Sequence, residues 1–495
     1  MRRAGILMSV SSLPSEYGIG CFSKEAYDFV DMLKEAGQSI WQILPLGPTS
    51  YGDSPYQSFS TFAGNPYFID PKKLIAKGYI SKKECDSYDF GNDPEKVDYE
   101  KIYKSRFKLL KKAFKNFDQT DKAFTVFVKN NSAWLEDYAL YMAIKASFDS
   151  VSWQDWDDDI RLREEGALKK YREKYKDEVK FYEFIQYEFY EEWSELKSYA
   201  HSKGISIVGD IPIYVALDSS DCWANPELFQ FDEDLRPIAV AGCPPDAFAA
   251  TGQLWGNPLY KWELHKKQNY SWWMERLKNC FELYDIVRID HFRGFDEYYS
   301  IPFPAENAVN GSWEAGPGYE LFKVMKEKLG KQNVIAEDLG FLTPSVIRMV
   351  KKSGYPGMKI LQFAFDSRED SDYLPHNYSS NSVVYTGTHD NDTTLSWYLS
   401  LPARDKKCAD DYLDIPKAVK KNDIPWYFIR AAYSSVSDLA VIPMQDILSL
   451  PGKARMNYPS TLGGNWEWRM KPLAFTKARQ KRLLKLTKTY RRLPQ

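Results

Sequence analysis

The sequence predicts an α/β chain built on a (β/α)8 barrel with large, mostly helical and loop insertions between strands. Three observations carry this. Eight short apolar runs rich in β-branched residues recur along the chain, and helical stretches separate them. The runs are continuously apolar rather than alternating, as in parallel strands buried on both faces. Eight such units close into a barrel more readily than they form an open sheet.

Taken in order, the first two candidate strands are Gly5–Val10 and Ile40–Leu46. The long stretch before the third exceeds what one crossover helix needs. In it Tyr99–Phe117, Ala133–Phe148 and Asp158–Ser198 carry apolar residues three and four apart among dense Lys and Glu, which predicts helices. The charged piece Arg161–Lys180 reads as a solvated helix face. Ile205–Asp210 is the third strand. It is followed by Ile213–Trp273, rich in Pro, Gly and aromatics and read as an ordered functional rim. Tyr284–Asp290, Val334–Glu337, Met358–Phe365, Val383–Gly387 and Leu439–Met444 complete the eight. The expected organisation is one catalytic barrel domain over 1–495, with a helical insertion at about 70–200 and an aromatic-rich loop insertion at 213–273.

Composition narrows the function. Lys+Arg of 66 against Asp+Glu of 68 leaves a net charge of −2, which gives no basic field for nucleic acid. No stretch reaches the ~18 apolar residues of a membrane span, and the apolar run after Met1-Arg2-Arg3 is too short for a signal peptide. The six cysteines form no C-x-x-C pair and no ligand cluster with the five histidines, so neither zinc nor a disulfide framework is expected. A cytoplasmic protein without metal or cofactor is the reading. Nothing in the sequence specifies an oligomeric state.

In a barrel of this kind chemistry sits at the C-terminal ends of the strands. Four neighbouring candidates end in acids there: Val208-Gly209-Asp210, Arg288-Ile289-Asp290-His291, Ala336-Glu337-Asp338 and Thr388-His389-Asp390-Asn391-Asp392. A single acid after a strand is usually a helix N-cap. Four together, two of them beside histidines, make that a poor account of the set. Strand alternation puts Arg288 and Asp290 on one face, where the guanidinium would favour an ionised carboxylate. Glu337 and Asp338 must face opposite ways, and periodicity leaves open which enters the mouth.

Arg288–Gly294, Ala336–Gly340, Thr388–Thr393 and Gly209–Tyr214 resemble recurrent segments of the α-amylase clan. The chain is most similar to the amylomaltase (4-α-glucanotransferase) family of that clan. Further segments carry the likeness: Ser54-Pro55-Tyr56-Gln57-Ser58 with Gly64-Asn65-Pro66, Pro244-Pro245-Asp246, Thr251–Tyr260, Ala454-Arg455-Met456-Asn457 and Gly464–Arg469. These occur in family order from about residue 5 to 470. The resemblance implies Asp290 as nucleophile, Glu337 as general acid/base and Asp390 as the third acid, which grips sugar hydroxyls. It implies Arg288, His291 and His389 as sugar partners where cleavage begins, and Tyr56 and Trp255 as aromatic contacts. Ser54, Asp210, Gln253 and Asn465 are its further substrate-binding candidates, and Phe363 and Asp366, at the end of the sixth candidate strand, face the same mouth. Trp466 and Trp468 read as packing. Ala247 stands where the family pattern has an aromatic residue. The implied ligands are α-1,4-glucans and maltooligosaccharides. The implied reaction is retaining transfer; an α-glucan hydrolase is the enzymatic alternative and an inactive glucan-binding protein the non-enzymatic one.

Overall fold

The computed structural model describes residues 2–50, 52–245 and 249–494. Eight parallel strands form its centre: β1 (Arg3–Leu7), β2 (Ile40–Gln42), β3 (Ser206–Pro212), β4 (Ile286–Asp290), β5 (Val334–Ala336), β6 (Gly357–Ile360), β7 (Ser382–Tyr385) and β8 (Leu439–Pro443). The ladder runs β6-β7-β8-β1-β2-β3-β4-β5. At the remaining seam, the Ala336 N–H donates to the Pro356 carbonyl at 3.0 Å and the Met358 N–H to Asp338 Oδ1 at 2.7 Å. This arrangement is the (β/α)8 barrel expected. The first strand lies slightly earlier than its apolar run, because Val10–Ser12 turns as a 3-10 helix once Met8 has donated to the Gln42 carbonyl.

Side chains alternate between two cores. Val208, Ile286, Ile335, Met358, Val383, Tyr385 and Val441 fill the barrel interior. Ile207, Val287, Ile289, Val384 and Ala440 face outward into a larger core shared with the surrounding helices. The register fixes what lies above the interior apolar layer. Val208 pairs with Ile286, then Asp210 with Arg288, then Pro212 with Asp290. Period two therefore carries β3 and β4 from an apolar floor to charged residues at the C-terminal mouth.

Two expectations are refined. Asp158–Ser198 is three helices, Asp158–Arg161, Glu165–Lys174 and Lys176–Ser202, rather than one. Arg163 breaks the path at φ 57°, and its guanidinium reaches Asp137 at 2.8 Å and the Trp223 ring at 4.2 Å. Tertiary contacts override the periodicity there. The 213–273 segment, read as loop, contains the strands Ala239–Cys243 and Gln253–Pro258. They join Glu297–Pro302 and Ser312–Ala315 in an antiparallel four-stranded sheet. Half of that sheet follows β4, so its pairing is not visible within the segment. Among the described residues no helix is long and apolar enough to cross a membrane.

Candidate active site

The mouth is organised around Arg288, whose side chain is 4% exposed. One terminal nitrogen lies 2.7 Å from both oxygens of the fully buried Asp210, and the other 2.9 Å from Asp290 Oδ1. Burial opposes the guanidinium's charge, but Asp210 and Asp290 more than offset this and hold it firmly protonated. Tyr56 donates its hydroxyl to Asp210 Oδ2 at 2.8 Å. Asp290 is thus the end of a chain of fixed groups whose other end is a loop tyrosine.

Glu337 follows β5 and accepts two backbone N–H groups, from His291 at 2.7 Å and Leu339 at 2.9 Å. The first requires an unusual backbone. His291 sits at φ 52°, in the left-handed region, and this turn aims its N–H at the carboxylate. Such a conformation costs a non-glycine residue about 1–2 kcal/mol, and functional sites are where strain of this kind is retained. Burial, and then the charge of Asp290, raise Glu337 from the ordinary 4.5 to about 7 despite Arg288 and the two amides. Asp338, its neighbour, points into the seam between β5 and β6. Glu337 is therefore the acid that enters the mouth.

Asp390 closes the triangle from the loop after β7. Asn457 donates to its Oδ1 at 2.6 Å, and His389 Nε2 is 3.3 Å from its Oδ2. Burial alone would raise its pKa; His389, Asn457 and Arg288 overcome this and hold it well below the usual carboxylate range. His389 is shifted up in return: burial lowers it, but Asp390 outweighs burial. Its ring stacks on Tyr56, with centroids 5.0 Å apart and planes 22° apart, and packs on Trp466. His291 behaves oppositely. Burial lowers it to about 4, so its ring is neutral at neutral pH, and its Nε2 has no hydrogen-bond partner among the described residues. Trp255 meets that ring edge-on at 4.8 Å.

One raised acid, one ionised acid clamp and a third carboxylate fixed by a guanidinium make an arrangement suited to acid-assisted displacement. Comparison with known proteins identifies the lineage. A family model described as 4-alpha-glucanotransferase matches residues 8–476. The 4-alpha-glucanotransferase of Clostridium butyricum is 48% identical, over 98% of this chain and 100% of that protein. The chain belongs to the 4-alpha-glucanotransferase family. The 4-alpha-glucanotransferase of Streptococcus pneumoniae TIGR4 is 51% identical over 99% of this chain and 98% of its own. Among solved structures, amylomaltase from Streptococcus agalactiae in complex with acarbose superposes with a TM-score of 0.97 at 44% identity, each chain covered fully. Amylomaltase from Corynebacterium glutamicum shares the fold, with a TM-score of 0.79 at 17% identity, over 98% of this chain and 75% of that one.

In this member of the 4-alpha-glucanotransferase family, Asp290, Glu337, Asp390, Asp210, Arg288, His291, His389, Tyr56 and Trp255 form one connected group. The other candidates stand apart from it in different ways. Ser54 Oγ accepts the Tyr56 N–H at 3.3 Å, and Gln253 Oε1 accepts the Trp255 indole N–H at 3.1 Å. Each braces an aromatic ring's chain segment. Asn465 is 6% exposed, with its amide committed to Tyr458 and Thr461 within its own loop. Phe363, 38% exposed, meets Tyr373 edge-on at 5.4 Å. Asp366 is held by Arg368, which also keeps its pKa low, at about 2; no contact joins it to the acids. Trp466 backs Tyr56 and His389, as packing. Ala247 lies outside the described residues.

Sequence reasoning passed over two groups. Asn457 and Arg455, which donates to the Asp390 carbonyl at 2.5 Å, come from the Ala454–Asn457 motif; that motif was the available signal. Asp446 accepts from the Thr386 and Thr394 hydroxyls and the Thr394 N–H, all within 2.7 Å, and braces the loop that carries Asp390. Its position after β8 offered no local clue.

Proposed function

We propose that this 4-alpha-glucanotransferase moves α-1,4-glucan segments from a maltooligosaccharide or starch-type donor to the 4-hydroxyl of an acceptor sugar by retaining double displacement. Asp290 attacks the anomeric carbon while Glu337, protonated, gives its proton to the departing glycosidic oxygen. The glucosyl–Asp290 ester is then released when Glu337, now a base, takes the proton of the acceptor hydroxyl. The single observation that carries the assignment is the raised Glu337, at about 7, beside an Asp290 fixed by Arg288. An acid near 7 can both deliver and recover a proton at neutral pH. Asp390, ionised and clamped, is suited to accept hydrogen bonds from sugar hydroxyls, which strengthen as the ring distorts. The buried His291 Nε2, without a hydrogen-bond partner among the described residues, offers a further contact to a hydroxyl. The acarbose-bound relative supports a pseudo-oligosaccharide-shaped cleft.

Transfer in place of hydrolysis requires that the intermediate meet a sugar before water. The 52–67 rim loop, which carries Tyr56, and the strand bearing Trp255 supply aromatic surface for acceptor binding and water exclusion. The cytoplasm is the proposed compartment, which the scattered cysteines suit.

The mechanism is tested by trapping. A 5-fluoro-α-glucosyl fluoride slows the second step, so intact-mass and peptide analysis should find one hexosyl adduct on Asp290. An adduct on another side chain, or turnover retained by Asp290→Asn, would overturn the assignment.

A further inference from the structure

At the end of the barrel opposite the acids, a cavity of about 490 Å³ opens beneath the starts of β4 to β8 and β1. That size lies within the range of small-molecule sites, about 300–1,000 Å³. Its floor is the lowest apolar layer of the barrel interior, Ile286, Ile335, Val383 and Leu439. Its walls are cationic. Arg3, Lys326, Lys331 and Lys352 line it against one carboxylate, Asp438. Among the described residues none of these four cations forms an ion pair; Lys352 instead lies over the Tyr319 ring at 4.5 Å.

Arg3 is the informative member. It is half-buried, and burial opposes its charge, relieved only in part by Asp285. Asp285 is itself engaged by His201 at 2.9 Å and Lys197 at 3.8 Å. Among the described residues the Arg3 guanidinium has no hydrogen-bond or ion-pair partner, although Asp438 lines the same cavity, so its donors are free to meet a ligand. Exposed lysines on the rim would be unremarked alone. Converging on the same cavity as an unpaired arginine, they make a field that attracts polyanions. Tyr319 and Tyr355 in the same wall add ring surface and hydroxyls beside it.

We propose that this cavity is a binding site for a phosphorylated small molecule, its phosphate met by Arg3 and the lysines and its body seated against Tyr319 and Tyr355. Arginine and lysine are the usual partners of phosphate oxygens. The site spans the seam of the barrel: Val334 and Ile335 lie on the β5 side, Tyr355 and Pro356 on the β6 side. Among the described residues the hydrogen bonds across that seam are Ala336–Pro356 and Asp338–Met358, and Glu337 is attached to its β5 margin. A ligand bridging it from below stabilises the native barrel by mass action.

The test uses the full chain at constant ionic strength, with sodium chloride as the control. Glucose 6-phosphate, ATP and inorganic phosphate are each titrated by calorimetry and thermal unfolding. At least one of the two esters is expected to bind and to raise Tm by more than inorganic phosphate does. The variant Lys331→Gln/Lys352→Gln should weaken that binding about tenfold or more while leaving maltotriose turnover without ligand unchanged. Which ester binds more tightly distinguishes a sugar phosphate from a nucleotide. Because both lysines are exposed, loss of folding would not confound the result; an unchanged Tm of the free variant checks this. Binding of neither ester above the chloride control, equal binding by the variant, or inorganic phosphate binding as well as the esters would overturn the proposal.

Discussion

Replacing Glu337 with Gln should cost activity and return stability, and the return should depend on pH. In the folded protein, burial and Asp290 raise the Glu337 carboxyl from 4.5 to about 7. The folded state therefore holds this proton more firmly than the unfolded chain does. Its favourable contribution is complete below about pH 4.5 and is lost as pH rises through about 7. That interval, at about 1.36 kcal/mol for each pH unit, amounts to about 3 kcal/mol. The amide introduced by Glu337→Gln has no such titration. Its oxygen can accept only one of the two N–H groups, from His291 and Leu339, that the carboxylate accepts; the unmet donor costs about 1–3 kcal/mol at every pH. The constant offset does not matter to the slope. With an unfolding entropy of about 2.1 cal/mol/K per residue over 495 residues, 1 kcal/mol moves Tm by about 1 °C. The Tm of the variant minus that of the wild type should thus rise by about 3 °C between pH 4.5 and pH 8, measured by calorimetry in matched buffers. A difference that stays flat, or falls with pH, would refute the claim that Glu337 is held protonated by its surroundings.

The other predictions concern the groups around it. Activity, as kcat/KM on maltotriose, should decline with a basic limb near pH 7 as free-enzyme Glu337 loses its proton; a limb displaced to pH 9 would remove Glu337 as the acid. Asp210→Asn takes one partner from a buried ion pair and should cost about 3–5 kcal/mol of stability, read from denaturant unfolding. Unchanged stability would mean Arg288 does not need it. Asn457→Ala removes a hydrogen bond to the Asp390 carboxylate; such bonds are worth about 1.5–3 kcal/mol, so kcat/KM should fall at least tenfold with the circular dichroism spectrum unaltered. Trp255→Ala should lower the ratio of transfer to hydrolysis, scored by product chromatography against reducing-end release, and an unmoved ratio would exclude its part in keeping water out.

How far the sequence could be read follows from which interactions are local. Strands buried on both faces announce themselves as apolar runs, so all eight barrel strands were legible, with ends displaced by a few residues. Period two put Arg288 and Asp290 on one face, and the guanidinium lies 2.9 Å from that carboxylate. The choice between Glu337 and Asp338 did not follow from spacing, because it depends on Asp338 capping Met358 across the seam. The Ala454–Asn457 motif signalled Asn457 but not its partner, since the clamp on Asp390 joins segments 67 positions apart. The helix break at Arg163 was invisible for a similar reason: a contact with Trp223 decides it. Asp366 is a different case. Its place after a barrel strand suggested a role in the mouth, while a residue two positions on, Arg368, occupies its carboxylate.

The central claim, transfer of glucan segments by these acids, is tested most directly with maltotriose as sole substrate. The purified protein is incubated without metal or cofactor, and products and total reducing ends are followed over time. Glucose with a ladder of longer maltooligosaccharides, and little gain in reducing ends, is the predicted result. Glucose and maltose with steadily rising reducing ends, or no conversion at all, would contradict it.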